Sequence, residues 1–431
     1  MSRLAADARA AALDLLRAVL DRRHLLDEAF DAHSLLPALE ARDRAFARAI
    51  TTTALRRLGQ IDALIDHGLE HPLPARAQPV RHILRLGVCQ LLFLGTPAHA
   101  AVDTTVALAE EAGWGPYKKL VNAVLRRLDR EGPRLRDGQD AARLNTPGWL
   151  WESWCRTYGA GRTRAIAAAH LAEPPLDISV KEDPVTWAAR LDAAVLPTGS
   201  LRRGKTGAVA ALPGYKDGAW WVQDAAAALP VRLLGPVAGK DVLDLCAAPG
   251  GKTAQLAAAG ARVTAVDRSR TRLARLADNL TRLRLEARTV AADATRWRPA
   301  EPASLVLLDA PCTTTGAIRR HPDVAWIKTA EDVPRLAKLQ DRLLKAASGM
   351  LEPGGVLVYT VCSLQAEEGS GRIHALLERD RKLVRVPVRP EEIDDEADFI
   401  TDDGDLHTLP CHWPEAGGLD GFYAARLQRS T

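Results

Sequence analysis

The 431-residue sequence has no run of roughly 20 apolar residues, so no membrane-spanning helix is expected. The first 20 residues alternate Ala and Leu with Arg and Asp. They lack the apolar block and cleavage site of a secretion signal, and Asp7 and Asp14 argue against a transit peptide. Six cysteines stand at 89, 155, 246, 312, 362 and 411, with no C-x-x-C pair, so no metal site is expected. Reduced thiols in a cytoplasmic chain are the simplest reading, and any special cysteine should be catalytic rather than cross-linked. The dinucleotide fingerprint G-x-G-x-x-G is absent from the one glycine-rich turn that follows an apolar strand. A phosphate-binding P-loop is excluded there too, because Cys246 occupies its first glycine position.

What is present points to two or three domains, since one core seldom grows this large. Hydrophobic content of 47% fits a globular protein. Net charge is +4, and residues 1–136 hold 20 Lys/Arg against 16 Asp/Glu, which places that excess in the first domain. An anionic partner and a merely solvated helical surface both fit this charge. Residues 1–130 read as helix, with apolar residues at three- and four-residue spacing. The nearly all-apolar stretch 80–93 should be the central helix. Gly132-Pro133 and Asn145-Thr146-Pro147-Gly148 read as a hinge. A small α+β insert is expected over 145–215, with a Trp-rich helix (Trp149, Trp151, Trp154), a strand at 176–180 and a helix around 187–191. Residues 216–431 alternate strand and helix, with strands expected at 242–245, 262–266, 288–291, 305–308, 356–359, 383–386 and 422–427. Such alternation implies a mainly parallel sheet covered by helices.

The stretch Asp241-Val-Leu-Asp-Leu-Cys-Ala-Ala-Pro-Gly-Gly-Lys-Thr253 reads as a buried strand, a tight glycine turn and a helix start. Two glycines let backbone approach a ligand, and free helical N–H groups face it. With the P-loop and dinucleotide readings set aside, an adenosyl-methionine loop remains, against the alternative of a strand-turn-helix with no ligand. Asp267 ends the second strand roughly 20 residues past the turn, where such folds grip ribose hydroxyls. The fourth strand ends in Asp309-Ala-Pro-Cys312 and the fifth runs into Val361-Cys362. In neighbouring strands, both sulfurs and the Asp309 carboxylate would open into one cleft. One acid and two thiols suit cytosine C5 chemistry. A thiolate adding at C6 makes C5 nucleophilic, an acid steadies the developing charge, and a second base removes the C5 proton. Cys246, Cys89, Cys155 and Cys411 read as structural.

These residues together resemble the Sun-type family of RNA cytosine-C5 methyltransferases, over nearly the whole chain. The carrying motifs are Asp244-Leu-Cys-Ala-Ala-Pro-Gly-Gly-Lys-Thr253, Asp309-Ala-Pro-Cys312, Gly316-Ala-Ile-Arg-Arg-His-Pro-Asp323 and Asp420-Gly-Phe-Tyr423. The resemblance implies Cys362 as nucleophile, Cys312 as the group that assists product release, and Asp309 as a contact to the base. It implies S-adenosyl-methionine held by Cys246, Ala247, Ala248, Pro249, Gly250, Gly251, Lys252, Asp267, Asp293 and Asp309, with Asp293 near the adenine. Residues 1–132 resemble the NusB fold, most clearly at Val121-Asn-Ala-Val-Leu-Arg-Arg127, and imply an RNA-binding bundle with Arg126 and Arg127 as candidate contacts. That fusion is the bacterial RsmB type and implies a cytosine of small-subunit (16S) ribosomal RNA as target. Arg319, Arg320 and His321 are further candidates for touching RNA phosphate or the extruded base. Two departures stand out: Val361 replaces the usual Thr, and Ser179-Val180-Lys181 stands where Arg-Val-Asn is common. Other readings remain open at this point. They are a binding protein with a vestigial cofactor domain, and cytosine methylation of another RNA or of DNA.

Overall fold

The computed structural model describes residues 3–204 and 207–431; Met1, Ser2, Lys205 and Thr206 lie outside the described residues, as do the side chains of residues 3–7, Asp7 among them. It divides into two compact units: Met1–Ala172 with Ile318–Thr329, and Glu173–Ala317 with Ala330–Thr431.

The first unit is helical. Its central helix, Gln78–Leu92, touches the helices Arg3–Leu20, Ala41–Arg56, Leu58–Gly68, Ala98–Glu111 and Lys118–Asp137. Val80, Ile83, Leu84, Leu86, Val88 and Cys89 on this helix are fully buried, as the all-round apolar stretch demands. Gly87 is required by proximity, since a Cβ there would lie 2.9 Å from Leu125 and Thr105. The polar residues of the helix are paired: Arg85 grips Asp62 with two bonds of 2.8 and 2.7 Å, and His82 bridges Arg85 and Asp21.

The expected hinge differs from what is found. Helix Lys118–Asp137 runs straight through Gly132-Pro133. Gly132 lies against Leu92, 2.7 Å from where a Cβ would sit, so it serves packing rather than chain reversal. Pro133 lies inside the helix, where its missing N–H gives up one backbone bond to the preceding turn. The Trp-bearing helix Gly148–Ala169, kinked at Gly159 (φ 75°), belongs to this helical unit and not to an α+β insert. The chain divides at 172/173, where Leu171 offers its carbonyl to Arg57.

The second unit holds two sheets. Strands β1 (Leu176–Val180), β2 (Ala194–Val195), β3 (Leu201–Arg203) and β4 (Trp220–Val222) form an antiparallel sheet in the order β2-β3-β1-β4. Its core is Leu176, Ile178, Leu201 and fully buried Trp220, closed by Ala188 and Leu191 of helix Pro184–Leu191. Trp220 lies beyond the expected boundary at 215 because this core needs it.

The larger sheet comprises β5 (Asp241–Leu245), β6 (Arg262–Asp267), β7 (Arg288–Ala291), β8 (Ala303–Asp309), β9 (Leu351–Val361), β10 (Leu383–Arg385), β11 (Leu406–Thr408) and β12 (Phe422–Arg429). The order is β10-β12-β9-β8-β5-β6-β7, with β11 on β12. Strands β5 to β9 pair in parallel, and β10, β11 and β12 pair antiparallel. Alternation sorts the side chains: Leu243, Leu245, Val306, Leu308, Leu357, Tyr359 and Val361 fill one face, and Val242, Leu305, Leu307 and Val358 the other. Val361 is thus a core residue on the first face. Strand β9 is longer than expected because Pro353-Gly354-Gly355 passes within it as an irregularity in its pairing with β8.

One buried ion pair ties the small sheet to the segment before β12. Arg202 holds Asp177 through two 2.7 Å bonds and donates to the carbonyls of Ala416 and Gly418. Asp177 also accepts from the Ala225 N–H. Asp177→Ala strands a buried guanidinium and should cost about 3–5 kcal/mol in urea unfolding, while the double change Asp177→Leu with Arg202→Met should cost markedly less.

Candidate active site

The glycine turn follows β5. Cys246 has φ 61°, the Ala248–Pro249 peptide is cis, and Gly250 at φ 103° caps helix Gly251–Ala258. Gly250 is needed twice over, for its left-handed backbone and because a Cβ would meet Leu276 at 2.7 Å. Asp267 at the end of β6 holds the turn: its carboxylate accepts from the N–H groups of Ala248 (3.2 Å) and Ser269 (2.8 Å). Arg272 donates to the Ala248 carbonyl. Below the turn, Thr253 donates to Asp244 at 2.6 Å. Burial pushes the Asp244 carboxyl up to about 7, and its Oδ1 has no partner among the described residues. Burial also raises the Cys246 thiol, aided by Asp267, Asp309 and Asp244, which leaves it unsuited to attack.

Lys252 points from the first turn of that helix to Asp309, with Nζ 2.8 Å from Oδ2. The same Nζ lies 5.0 Å from the Phe422 ring centre. Burial opposes the ammonium charge, but Asp309 outweighs it and holds Lys252 above its usual range.

Strands β8 and β9 are neighbours, with Asp309 opposite Thr360, so their trailing loops run side by side. The sulfurs of Cys312 and Cys362 stand 3.5 Å apart. Cys362 is held below the ordinary thiol range, first by the hydrogen bond from Cys312 and also by the Lys252 charge, against burial and Asp309. Cys312, the donor, is raised well above that range by the same bond and by burial. Cys362 therefore loses its proton first.

A buried carboxylate fastens the two loops. Glu368 accepts from the Thr313 N–H at 3.0 and 3.2 Å, from the Thr313 hydroxyl, from Ser363 Oγ at 2.6 Å and from Gln340 Nε2 at 3.1 Å. Gln340 also donates to the Pro311 carbonyl. Gly316 and Gly421 close the arrangement, since a Cβ on Gly316 would lie 2.0 Å from the Gly421 carbonyl oxygen.

Asp309, Cys312, Cys362 and Lys252 are thus brought together beside the turn 246–251. Asp293 lies beyond β7, exposed, with Oδ1 taken by the N–H and hydroxyl of Thr295. The other expected contacts belong to the helical unit. Arg319 is 1% exposed in the helical unit, and Arg56 donates to its carbonyl at 2.9 Å. That burial corrects the expectation that its side chain reaches RNA. Arg320 and His321 are half-buried, and His321 pairs with Asp27 at 3.4 Å. The segment anchors itself further through Asp323, which accepts from the Leu26 N–H, and Trp326, which donates to the Leu55 carbonyl. Arg126 is exposed, 3.9 Å from Asp103, and Arg127 pairs with Glu131.

Glu368, Thr313 and Ser363 were not legible as site residues. Nothing in the local pattern separates buried Glu368 from exposed Glu367. Glu368→Ala leaves several buried donors unmet and should cost about 3 kcal/mol in urea unfolding. Glu368→Gln should retain most of that stability.

Comparison with known proteins follows the same division. Residues 6–130 match the NusB family, and residues 231–428 match the family described as 16S rRNA methyltransferase RsmB/F. Ribosomal RNA small subunit methyltransferase B of Vibrio cholerae is 36% identical over 397 residues, covering 87% of this chain and 91% of that one. The protein of the same name from Pseudomonas putida is 36% identical over 440 residues, covering 97% and 98%. Among solved structures, PH0851 superimposes with a TM-score of 0.78 at 23% identity, covering 100% of both chains. NSun6 from Pyrococcus horikoshii, determined with SFG, gives 0.57 at 19% identity over 66% of this chain and 98% of that one. The fold is that of the class I methyltransferases, and the chain belongs to the RsmB/F family of 16S rRNA methyltransferases, with a NusB-family helical domain at its N-terminal side.

Proposed function

We propose that the protein methylates C5 of a cytosine in small-subunit ribosomal RNA, with S-adenosyl-methionine as donor and Cys362 as nucleophile. The observation that carries this reading is the 3.5 Å thiol pair beside Lys252 and Asp309, in which one thiol is acidified by the other. The names of the Vibrio and Pseudomonas relatives support ribosomal RNA as the substrate. An intact constellation of this kind weighs against a vestigial domain. A chain that depends on free thiols suits a reducing cytoplasm.

The residues present fit the donor. The turn 246–251 is shaped by a glycine that no side chain can replace, and the helix N-terminus after it presents free N–H groups. Asp267 keeps unused lone pairs beyond its two backbone bonds, and Asp293 offers an Oδ2 that makes no bond among the described residues. Asp267 would hold the ribose and Asp293 the adenine edge. When bound, the donor supplies an electrophilic sulfonium methyl.

The chain's own residues then divide the work. Lys252 keeps Asp309 placed, and Asp309 holds the polar edge of the cytosine. Cys362 Sγ forms a bond to C6, which shifts electron density to C5 for methylation. Once Cys362 is bonded to C6 and is no longer a thiolate, Cys312 releases its own proton to solvent, and the resulting Cys312 thiolate takes the C5 proton. The C6–S bond then breaks, C5=C6 reforms, and Cys362 leaves as thiolate. An unpaired or extruded cytosine is required, since C6 is not reachable in a stacked helix.

Cys312→Ala should trap the RNA covalently on Cys362, visible as a shifted band on a denaturing gel. Cys362→Ala should abolish both adduct and methyl transfer, and a Cys362→Ala variant that still methylates ends the proposal. Because Cys362 is acidified, the rate with pH should climb and level off below ~8.5, the range of a free thiol. The reactive thiolate is lost as pH falls through that lowered pKa. Cys312→Ala should move the alkylation profile of Cys362 to higher pH.

A further inference from the structure

We propose that the exposed face of the helix Asp332–Ser348 is a track for RNA phosphates. It rests on the reading of RNA as substrate and assigns to this helix the backbone contacts that buried Arg319 cannot make.

Arg335, Lys338, Arg342 and Lys345 are all exposed. At 100° per residue they fall within an arc of ~80° and span about 15 Å of the helix. Lys338, Arg342 and Lys345 form no ion pair among the described residues, and Arg335 pairs only at the helix start with Asp332. Four cations in line, three of them outside any ion pair among the described residues, are repulsive in isolation and suit a polyanion. A groove of about 600 Å³ runs along the same face, lined by Glu331, Pro334, Arg335, Lys338 and Arg342. Of the acids nearby, Glu331 lines the same groove, Asp332 pairs with Arg335, and Asp341 is engaged by Arg372.

The helix is also tied to the chemistry. From its opposite, buried face Gln340 donates to the Pro311 carbonyl, next to Cys312, and to Glu368. Arg342 lies close enough to Asp293 to help stabilise its charge. A strand laid along the stripe would run on the helix face opposite Gln340 and pass Arg342 on the side of Asp293. Phosphate contacts of this kind position a substrate without reading its sequence.

The test compares the parent chain with the Lys338→Ala/Arg342→Ala/Lys345→Ala variant. Binding of a cytosine-bearing single-stranded RNA segment of 16S rRNA is measured over a range of salt. Each lost contact should lower the slope of log K against log salt by about 0.7, so the slope should fall by about 2. Affinity should drop roughly tenfold or more at ~0.15 M salt. KM for RNA should rise while kcat at saturating RNA and donor stays unchanged. The Lys338→Arg/Lys345→Arg variant should keep the parent slope. An unchanged slope and affinity in the triple variant overturns the proposal. Binding is read without methyl transfer, so that result is distinguishable from a failure of the cytosine-methylation reading.

Discussion

The site depends on one structural fact, the parallel pairing of β8 with β9. Asp309 lies opposite Thr360, so the chain leaves both strands at the same level and in the same direction. Cys312, three positions past Asp309, and Cys362, two past its partner Thr360, then leave the sheet side by side. The sheet cannot slip by one residue without turning Leu308 and Tyr359 out of one core and Leu307 and Val358 out of the other. Register of the hydrophobic core and separation of the sulfurs are the same constraint. Glu368 completes it by holding the loops together after the sheet has ended.

The electrostatics of the cleft follow from this closeness. Two thiols at 3.5 Å cannot both ionise, so the proton stays on one and the other becomes the stronger nucleophile. Asp309 alone would oppose a thiolate at Cys362. Lys252 offsets it, and a paired Lys252–Asp309 leaves the carboxylate pinned without placing a net negative charge beside the sulfur. Phe422 adds an aromatic face to the same ammonium.

The parallel core, its neighbouring β8 and β9 and the glycine turn were legible because each rests on local signals: short apolar runs, strand-end chemistry and a glycine that the backbone demands. The pairing of Cys312 with Cys362 was legible through topology, since parallel sheets place their strand ends together. The domain edges were not. Gly132-Pro133 carries the signature of a break, yet the close approach of Leu92 makes the glycine a packing residue inside a continuous helix. Trp149, Trp151 and Trp154 suggested an insert, but Trp154 is fully buried in the helical unit beside His170. Glu368 was invisible because its role is defined by donors as far as 55 residues away in sequence.

Gly316-Ala-Ile-Arg-Arg-His-Pro-Asp323 shows why a motif that identifies a family need not mark a surface. Two arginines and a histidine that follow Cys312 in sequence invite the reading of phosphate contacts. Yet Asp323 caps the Leu26 amide, Trp326 and Ile327 pack with the helical core, and Arg319 is removed from solvent. The basic residues there are used for architecture. A charge that binds a polyanion has to remain uncompensated and exposed, because ion pairing and burial both consume its field. By that criterion a sequence search for Arg and Lys near the thiols is the wrong filter. The filter that works is basic residues left without partners on an exposed face, and it selects Lys338, Arg342 and Lys345 over Arg319.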